Sequence, residues 1–252
     1  MPRKSVLTPS QKVSLLSFPT SKIEFERYYT LSENDLFIIH QKREIHNRLG
    51  FALMLCCIRY PGISYDVDTV IEDNMMEFVK KQLSIQTEID MQLYFKRETT
   101  RREQLAEIQN LYGYRSLNAK MHASYVELLL PTAKATDNGA IVANKLIELL
   151  RHEMIIVPNI SVIERLCSEA ITIATKWVYE TLLEQCSKMQ LDKLQKLFTS
   201  KPNTNISYLG WLQMRNFVAN PKFILEHIQR LRFIKELGYR PTKGFFFQQY
   251  LN

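Results

Sequence analysis

Apolar residues recur along this chain in steps of three and four, the spacing that lines one side of a helix. The clearest case is residues 42–60, KREIHNRLGFALMLCCIRY. On a helix starting near Ile45, the residues Leu49, Ala52, Leu53 and Cys56 fall at i, i+3, i+4 and i+7, a core-facing stripe. The same stretch opens with polar and basic side chains: Lys42, Arg43, His46, Asn47 and Arg48. His46, Asn47 and Arg48 belong to the first turn, where side chains project past the helix end. An apolar body with a polar leading turn is how a helix presents itself to a DNA groove. Arg reads guanine and Asn reads adenine in bidentate pairs, while Lys42 and Arg43 are suited to phosphates. The plainer alternative is a buried helix with a solvated basic start.

The pattern occurs a second time. At an offset of 54 residues the chain reads KRETTRREQLAEIQNLYGY, residues 96–114. Lys42, Arg43, Glu44, Arg48, Ala52 and Tyr60 align with Lys96, Arg97, Glu98, Arg102, Ala106 and Tyr114. Tandem helical modules reading successive turns of a duplex would produce such a repeat. Its alternative is a solvated helix face on which Glu98 and Glu103 pair with neighbouring arginines.

The remaining pattern is helical almost throughout. Thr8-Pro9 marks a helix start with Thr8 as cap, and the helix ends near Phe18-Pro19. Residues 21–29 form a short helix, Ser32 caps a third, and the 42–60 stretch is a fourth, stopped by Pro61-Gly62. These four predict a helix-turn-helix-like module. A mixed linker covers 63–72, Asp73 opens a helix, and Thr87 caps another that leads into the second basic stretch. Gly113 is a left-handed C-cap. Asn118 opens a helix ended by Pro131, and residues 139–152 are amphipathic through Ile141, Leu146, Leu149 and Leu150. Ser161 caps a helix of about 25 residues with Leu166, Ile173 and Trp177 buried. Helices follow at 191–199, 208–214 and 221–237. The fold class is therefore all-α, with helix-turn-helix-like modules at 1–65 and 66–130. A third helical domain covers 131–200, and 201–252 starts the next helical segment.

Composition supports this picture and narrows the partner. Seven Gly against long runs of Leu, Glu, Gln, Lys and Arg favour helices. The net charge of +7 favours an anionic partner. Cys56, Cys57, Cys167 and Cys186 form no CxxC and have no His at zinc spacing, so free thiols in a reducing cytosol are expected. The start, MPRKSVLTPSQ, lacks the apolar core of a signal peptide, and residues 1–7 read as a basic arm carrying Arg3 and Lys4. The longest apolar run, 51–58, is too short for a bilayer. A soluble cytoplasmic protein with no membrane partner and no cofactor is expected.

Four motifs occur in order: MPRKSVLTPSQ with LLSFPT, HNRLGFALMLCCIRYPG, RETTRREQLAEIQNLYGY, and LLPTAKATDNGAIVANKLIELLRHEMIIVPNISVIERLCSEA. Together they resemble the amino-terminal region of the replicative, class II bacterial transposases of the Tn-three family, over about residues 1–238. The resemblance implies a helical region that recognises the terminal inverted repeats of a transposon. It places His46, Asn47 and Arg48, and Arg97, Arg101 and Arg102, in the matching DNA-binding segments. Lys96 and Arg115 complete the basic set expected to touch double-stranded DNA. Family members continue for several hundred residues, and their acidic catalytic triad lies in that part. The closing TKGFFFQQYLN departs from the family. The resemblance thus implies a truncated, non-catalytic transposase region, whose protein partner is a full-length transposase or a second copy.

Other chemistry finds less support. The carboxylates Asp66, Asp68, Glu72 and Asp73 cluster in a linker, where solvated charges explain them better than a two-metal nuclease. Leu150-Arg151-His152 with Tyr179 faintly resembles a tyrosine recombinase, but the flanking motifs are absent and the helix dipole accounts for the basic end. His152-Glu153 lacks the second His of a zinc protease, and no glycine-rich phosphate loop is present.

Overall fold

The computed structural model describes residues 5–202, 204–214 and 221–237. Among them are thirteen α-helices and one two-residue strand pair, so the chain is all-α as its pattern predicts. Two compact units divide it, residues 1–176 and 177–252.

The first unit is arranged around α4, Ile45–Arg59. Every residue of α4 from Leu49 to Ile58 is buried. The expected one-sided stripe is therefore only part of its packing, and α4 is an axle enclosed on all sides. A helix apolar all round has no other stable place. Around it pack α2 (Lys22–Tyr29), α3 (Glu33–His40), α5 (Asp73–Gln82), the single turn α6 (Gln92–Phe95) and α7 (Glu98–Tyr112). Ser21 and Ser32 cap α2 and α3, the latter in a capping box with Asp35. Gly113 closes α7 with a φ of 76°, the left-handed conformation a glycine supplies without strain. Thr87 caps no helix. The Asp90 carboxylate instead accepts the Gln92 amide at 2.9 Å and opens α6.

A second core in the same unit is built from α8 (His122–Ala135), α9 (Gly139–His152) and the first half of α10 (Ile160–Glu184). The helix α1, Pro9–Leu15, joins this core and not the α2–α4 group with which its sequence position associates it. Leu7 and Leu15 are buried there, and Lys12 pairs with Glu164 at 2.8 Å. Pro131 lies inside α8 and does not end it. It sits on the exposed side, while Leu129 and Ala133 hold the helix to the core across the missing hydrogen bond. Asn159, rather than Ser161, caps α10 by accepting the Val162 amide at 3.2 Å. Ile141 faces outward, opposite buried Val142, Leu146 and Leu150. Ile173 and Trp177 are exposed because the buried line of α10 (Ile163, Leu166, Cys167, Ala170 and Ala174) ends where the core ends.

The two cores are joined by residues 60–63 and the strand pair. β1, Arg115–Ser116, runs parallel to β2, Ile155–Ile156. Arg151 donates from Nε to the Pro61 carbonyl at 2.8 Å and lies 4.5 Å over the Tyr60 ring. That contact explains Arg151 better than a helix dipole or a recombinase site does. Burial pushes the Cys56 and Cys167 thiols up to about 12 and Cys57 well above its ordinary value, which leaves them protonated and unreactive near neutrality.

In the second unit, α11 (Lys188–Lys196) and α13 (Pro221–Leu237) pack together, with α12 (Tyr208–Gln213) supplying Trp211. Trp211 is buried, donates to Glu226 at 3.0 Å, and carries Lys201 4.0 Å over its ring. Among the described residues no helix is long and apolar enough to cross a membrane. No group of three His, Cys, Asp or Glu among them is placed to hold a metal.

One ion pair clamps the far end of the axle. Asp35, 1% exposed, accepts from Arg59 at 2.7 Å, from the Ser32 amide at 2.7 Å and from the Tyr112 hydroxyl at 2.5 Å. Burial alone would raise its pKa, yet Tyr112, Arg59 and Ser32 together hold it below the usual carboxylate value. Asp35→Ala should cost about 3 kcal/mol or more, because it leaves the Arg59 charge without its partner. A lowered carboxyl pKa gives stability that is complete above the unfolded value of about 3.9 and is lost as pH falls through the folded value. Urea unfolding from pH 6 to 2 should therefore show a smaller acid loss for Asp35→Asn than for the wild type.

Candidate nucleic-acid interface

The two helices that follow the basic segments, α4 and α7, are in contact. The Asn47 carbonyl, in the first turn of α4, accepts from Gln104 Nε2 of α7 at 3.3 Å. Gln104 Oε1 in turn accepts from the Tyr94 hydroxyl of α6 at 3.0 Å. Farther along, Arg59 near the end of α4 lies 5.7 Å over the ring of Tyr112 near the end of α7. The helices α4 and α7 thus run in the same sense, with the first turn of α4 beside the middle of α7.

Gly50 makes this approach possible. A Cβ there would sit 2.3 Å from the Tyr94 ring, well inside contact distance. A glycine inside a long apolar helix costs about 1 kcal/mol relative to alanine, so its presence signals such a close approach. Gly50, Tyr94 and Gln104 are the residues that reading for basic clusters passed over, and the mid-helix glycine was the available signal.

The expected contact residues differ in their freedom. Lys42 is bound to Glu107 of α7 at 2.5 Å and lies 4.6 Å over the Phe51 ring. Arg101 pairs with Asp66 at 2.6 Å and packs over Phe95, while Arg102 pairs with Glu98 at 2.5 Å. Asp66 is therefore a partner for Arg101, and Glu98 pairs with its neighbouring arginine as the solvated-face alternative has it. Arg48 donates from Nε to the Lys42 carbonyl at 2.7 Å and lines a cleft with His40, Ile45 and the 83–87 turn. Arg115 sits in β1 and reaches the Glu153 carbonyl at 3.3 Å. Arg43, Lys96 and Arg97 are exposed and make no ion pair among the described residues. His46 and Asn47 are half-buried at the segment's edge. Arg3 and Lys4 lie outside the described residues, as does the 241–252 tail.

Exposed ion pairs contribute only about 0–1 kcal/mol each, so Arg102 can exchange Glu98 for a phosphate at little cost. The bulk charge points elsewhere. Residues 1–176 carry 22 Lys and Arg against 21 Asp and Glu, whereas residues 177–252 carry 11 against 5. Any anion recognition at the two segments therefore rests on local placement, not on the net charge of the chain.

Similarity to known proteins identifies the family. The chain belongs to the family described as Domain of unknown function (DUF4158), whose profile matches residues 6–170, nearly all of the first unit. It is 37% identical over 232 residues to the transposase for transposon Tn3926 of Escherichia coli, covering 92% of this chain and 23% of that protein. Over 233 residues it is 36% identical to the transposase for transposon Tn501 of Pseudomonas aeruginosa, with 92% and 23% covered. The transposase for transposon Tn1546 of Enterococcus faecium is 29% identical over 234 residues, with 92% and 24% covered. The resemblance to bacterial transposases read from the four motifs is thereby borne out. The chain spans about a quarter of the length of these relatives.

Gly50→Ala tests the close packing. At an open helix position this change would stabilise by about 1 kcal/mol. Here it should destabilise by about 1–3 kcal/mol, because the methyl overlaps the Tyr94 ring and the core is already full. Urea unfolding gives the sign directly.

Proposed function

We propose that this chain is a non-catalytic, sequence-specific DNA-binding region that recognises the terminal inverted repeats of a transposon. The observation that carries the reading is the hydrogen bond that joins the first turn of α4 at Asn47 to Gln104 of α7, two residues past segment 96–102, in a chain 37% identical to a transposase. Arg43, Lys96 and Arg97 grip phosphates, with Lys42 and Arg101 held close by. His46, Asn47, Arg48 and Arg102 face the major groove, and Arg115 extends the basic edge. The arm with Arg3 and Lys4 follows the backbone or a minor groove. No metal or cofactor enters this reading, and it assigns strand cleavage to no residue of this chain. Its place is with bacterial DNA in the cytoplasm.

A second reading is favoured by α13, which exposes Ile224, Ile228 and Leu231 at i, i+4 and i+7. Such a stripe suits a helical interaction module that pairs or competes with a full-length transposase.

Fluorescence titration against the terminal repeat of the host transposon and a scrambled duplex separates the readings. The DNA reading predicts a preference of about 10³-fold or more for the repeat. Raising salt from 50 to 200 mM should weaken binding by about 10³-fold if roughly six phosphates are contacted. Arg43→Ala with Arg97→Ala should lower the salt slope by about two. Equal affinity for both duplexes would overturn sequence-specific recognition. Full activity in a Lys42→Ala, Arg43→Ala and Arg48→Ala triple variant would favour the interaction module.

A further inference from the structure

The repeated sequence pattern suggests two modules on successive turns of a duplex, about 34–36 Å apart. The structure packs the two helices that carry the basic segments far closer than that. Asn47 and Gln104 are hydrogen-bonded, Arg48 follows Asn47, and Arg101 lies one helical turn before Gln104. Both helices draw on one core, which also holds Tyr94, Ile108 and the whole apolar length of α4. Packed helices sit about 8–10 Å apart, and successive base pairs rise about 3.4 Å along the duplex axis. Side chains carried on helices at that distance reach positions only a few base pairs apart, about three for the interaxial spacing alone.

We propose, resting on the DNA-binding reading above, that segments 42–48 and 96–102 act as one rigid reader of a single short block of base pairs. Gln104 is its positioning residue. It is 5% exposed and so does not touch DNA itself. Its two hydrogen bonds, to Asn47 and Tyr94, fix α7 against the first turn of α4. The Tyr94 ring fills the space left open by Gly50 and prevents α6 and α7 from sliding along α4. The ligand this geometry fits is a duplex in which the two contacted steps have a fixed, short separation.

The test uses the full chain and the host terminal repeat. Single base-pair substitutions are scanned against the wild type, Arg48→Ala and Arg102→Ala, and each variant reveals the positions to which it has become indifferent. Those two sets should lie within about five base pairs of each other, and one base pair inserted between them should weaken binding at least tenfold. Sets about ten base pairs apart, or an insertion that leaves affinity intact, would overturn the single-reader proposal while leaving the DNA reading standing. Failure of the wild type to prefer the repeat over a scrambled duplex would remove both.

Gln104→Leu, and Tyr94→Phe as the milder change, complete the test. A positioning role predicts that the insertion penalty shrinks toward onefold in chains that still unfold cooperatively. If Gln104 serves stability alone, the unfolding midpoint falls and the tenfold penalty stays, which contradicts the assignment.

Discussion

The complete burial of α4 constrains everything else in the first unit. Ten consecutive residues without a solvated face need neighbours on every side, and five helices supply them. An enclosed helix cannot lie lengthwise in a groove. What remains for contact is its leading turn and the loop before it. The enclosing helices then decide what stands beside that turn. At one end Asp35, Arg59 and Tyr112 lock α3, α4 and α7 together through a buried carboxylate. At the other, Tyr94 and Gln104 close the contact between α4, α6 and α7. The basic residues are thus carried on a frame whose geometry is set by apolar packing and two small polar networks.

Electrostatics acts on that frame locally. The first unit is nearly neutral, so its field does not draw a polyanion from a distance as a uniformly basic surface would. Lys42, Arg101 and Arg102 are matched with Glu107, Asp66 and Glu98, which holds their stems in place and keeps like charges apart. Only Lys42 and Arg101 are substantially shielded from water in these pairs. Specific recognition is better served by such placement than by excess charge, because phosphate attraction alone carries no sequence information.

Much of the fold was legible in the sequence. Capping residues Thr8 and Ser32, the stop at Gly113 and the three-and-four spacing placed most helices, because these signals act within one turn. What failed to show was which helix packs against which. The helix α1 stands directly before α2–α4 in the chain, yet Leu7 and Leu15 are buried against residues more than a hundred positions away in sequence, among α8–α10. The run 49–58 announced burial but not its completeness, since a stripe and an enclosed helix both contain i, i+3, i+4, i+7. Trp177 was misread for the converse reason: it continues the line of α10 after the core beneath it has stopped. The basic segments were visible at once, but their adjacency depends on Gly50, Tyr94 and Gln104, which carry no charge to betray it.

Amide hydrogen exchange of the full chain, free and bound to the transposon's terminal repeat, tests the central claim most directly. The account predicts that 49–58 hold the slowest-exchanging amides in both states, and that DNA slows exchange at 42–48 and 96–102 together. Rapid exchange along 49–58, or protection by DNA at one basic segment with no response at the other, would contradict it.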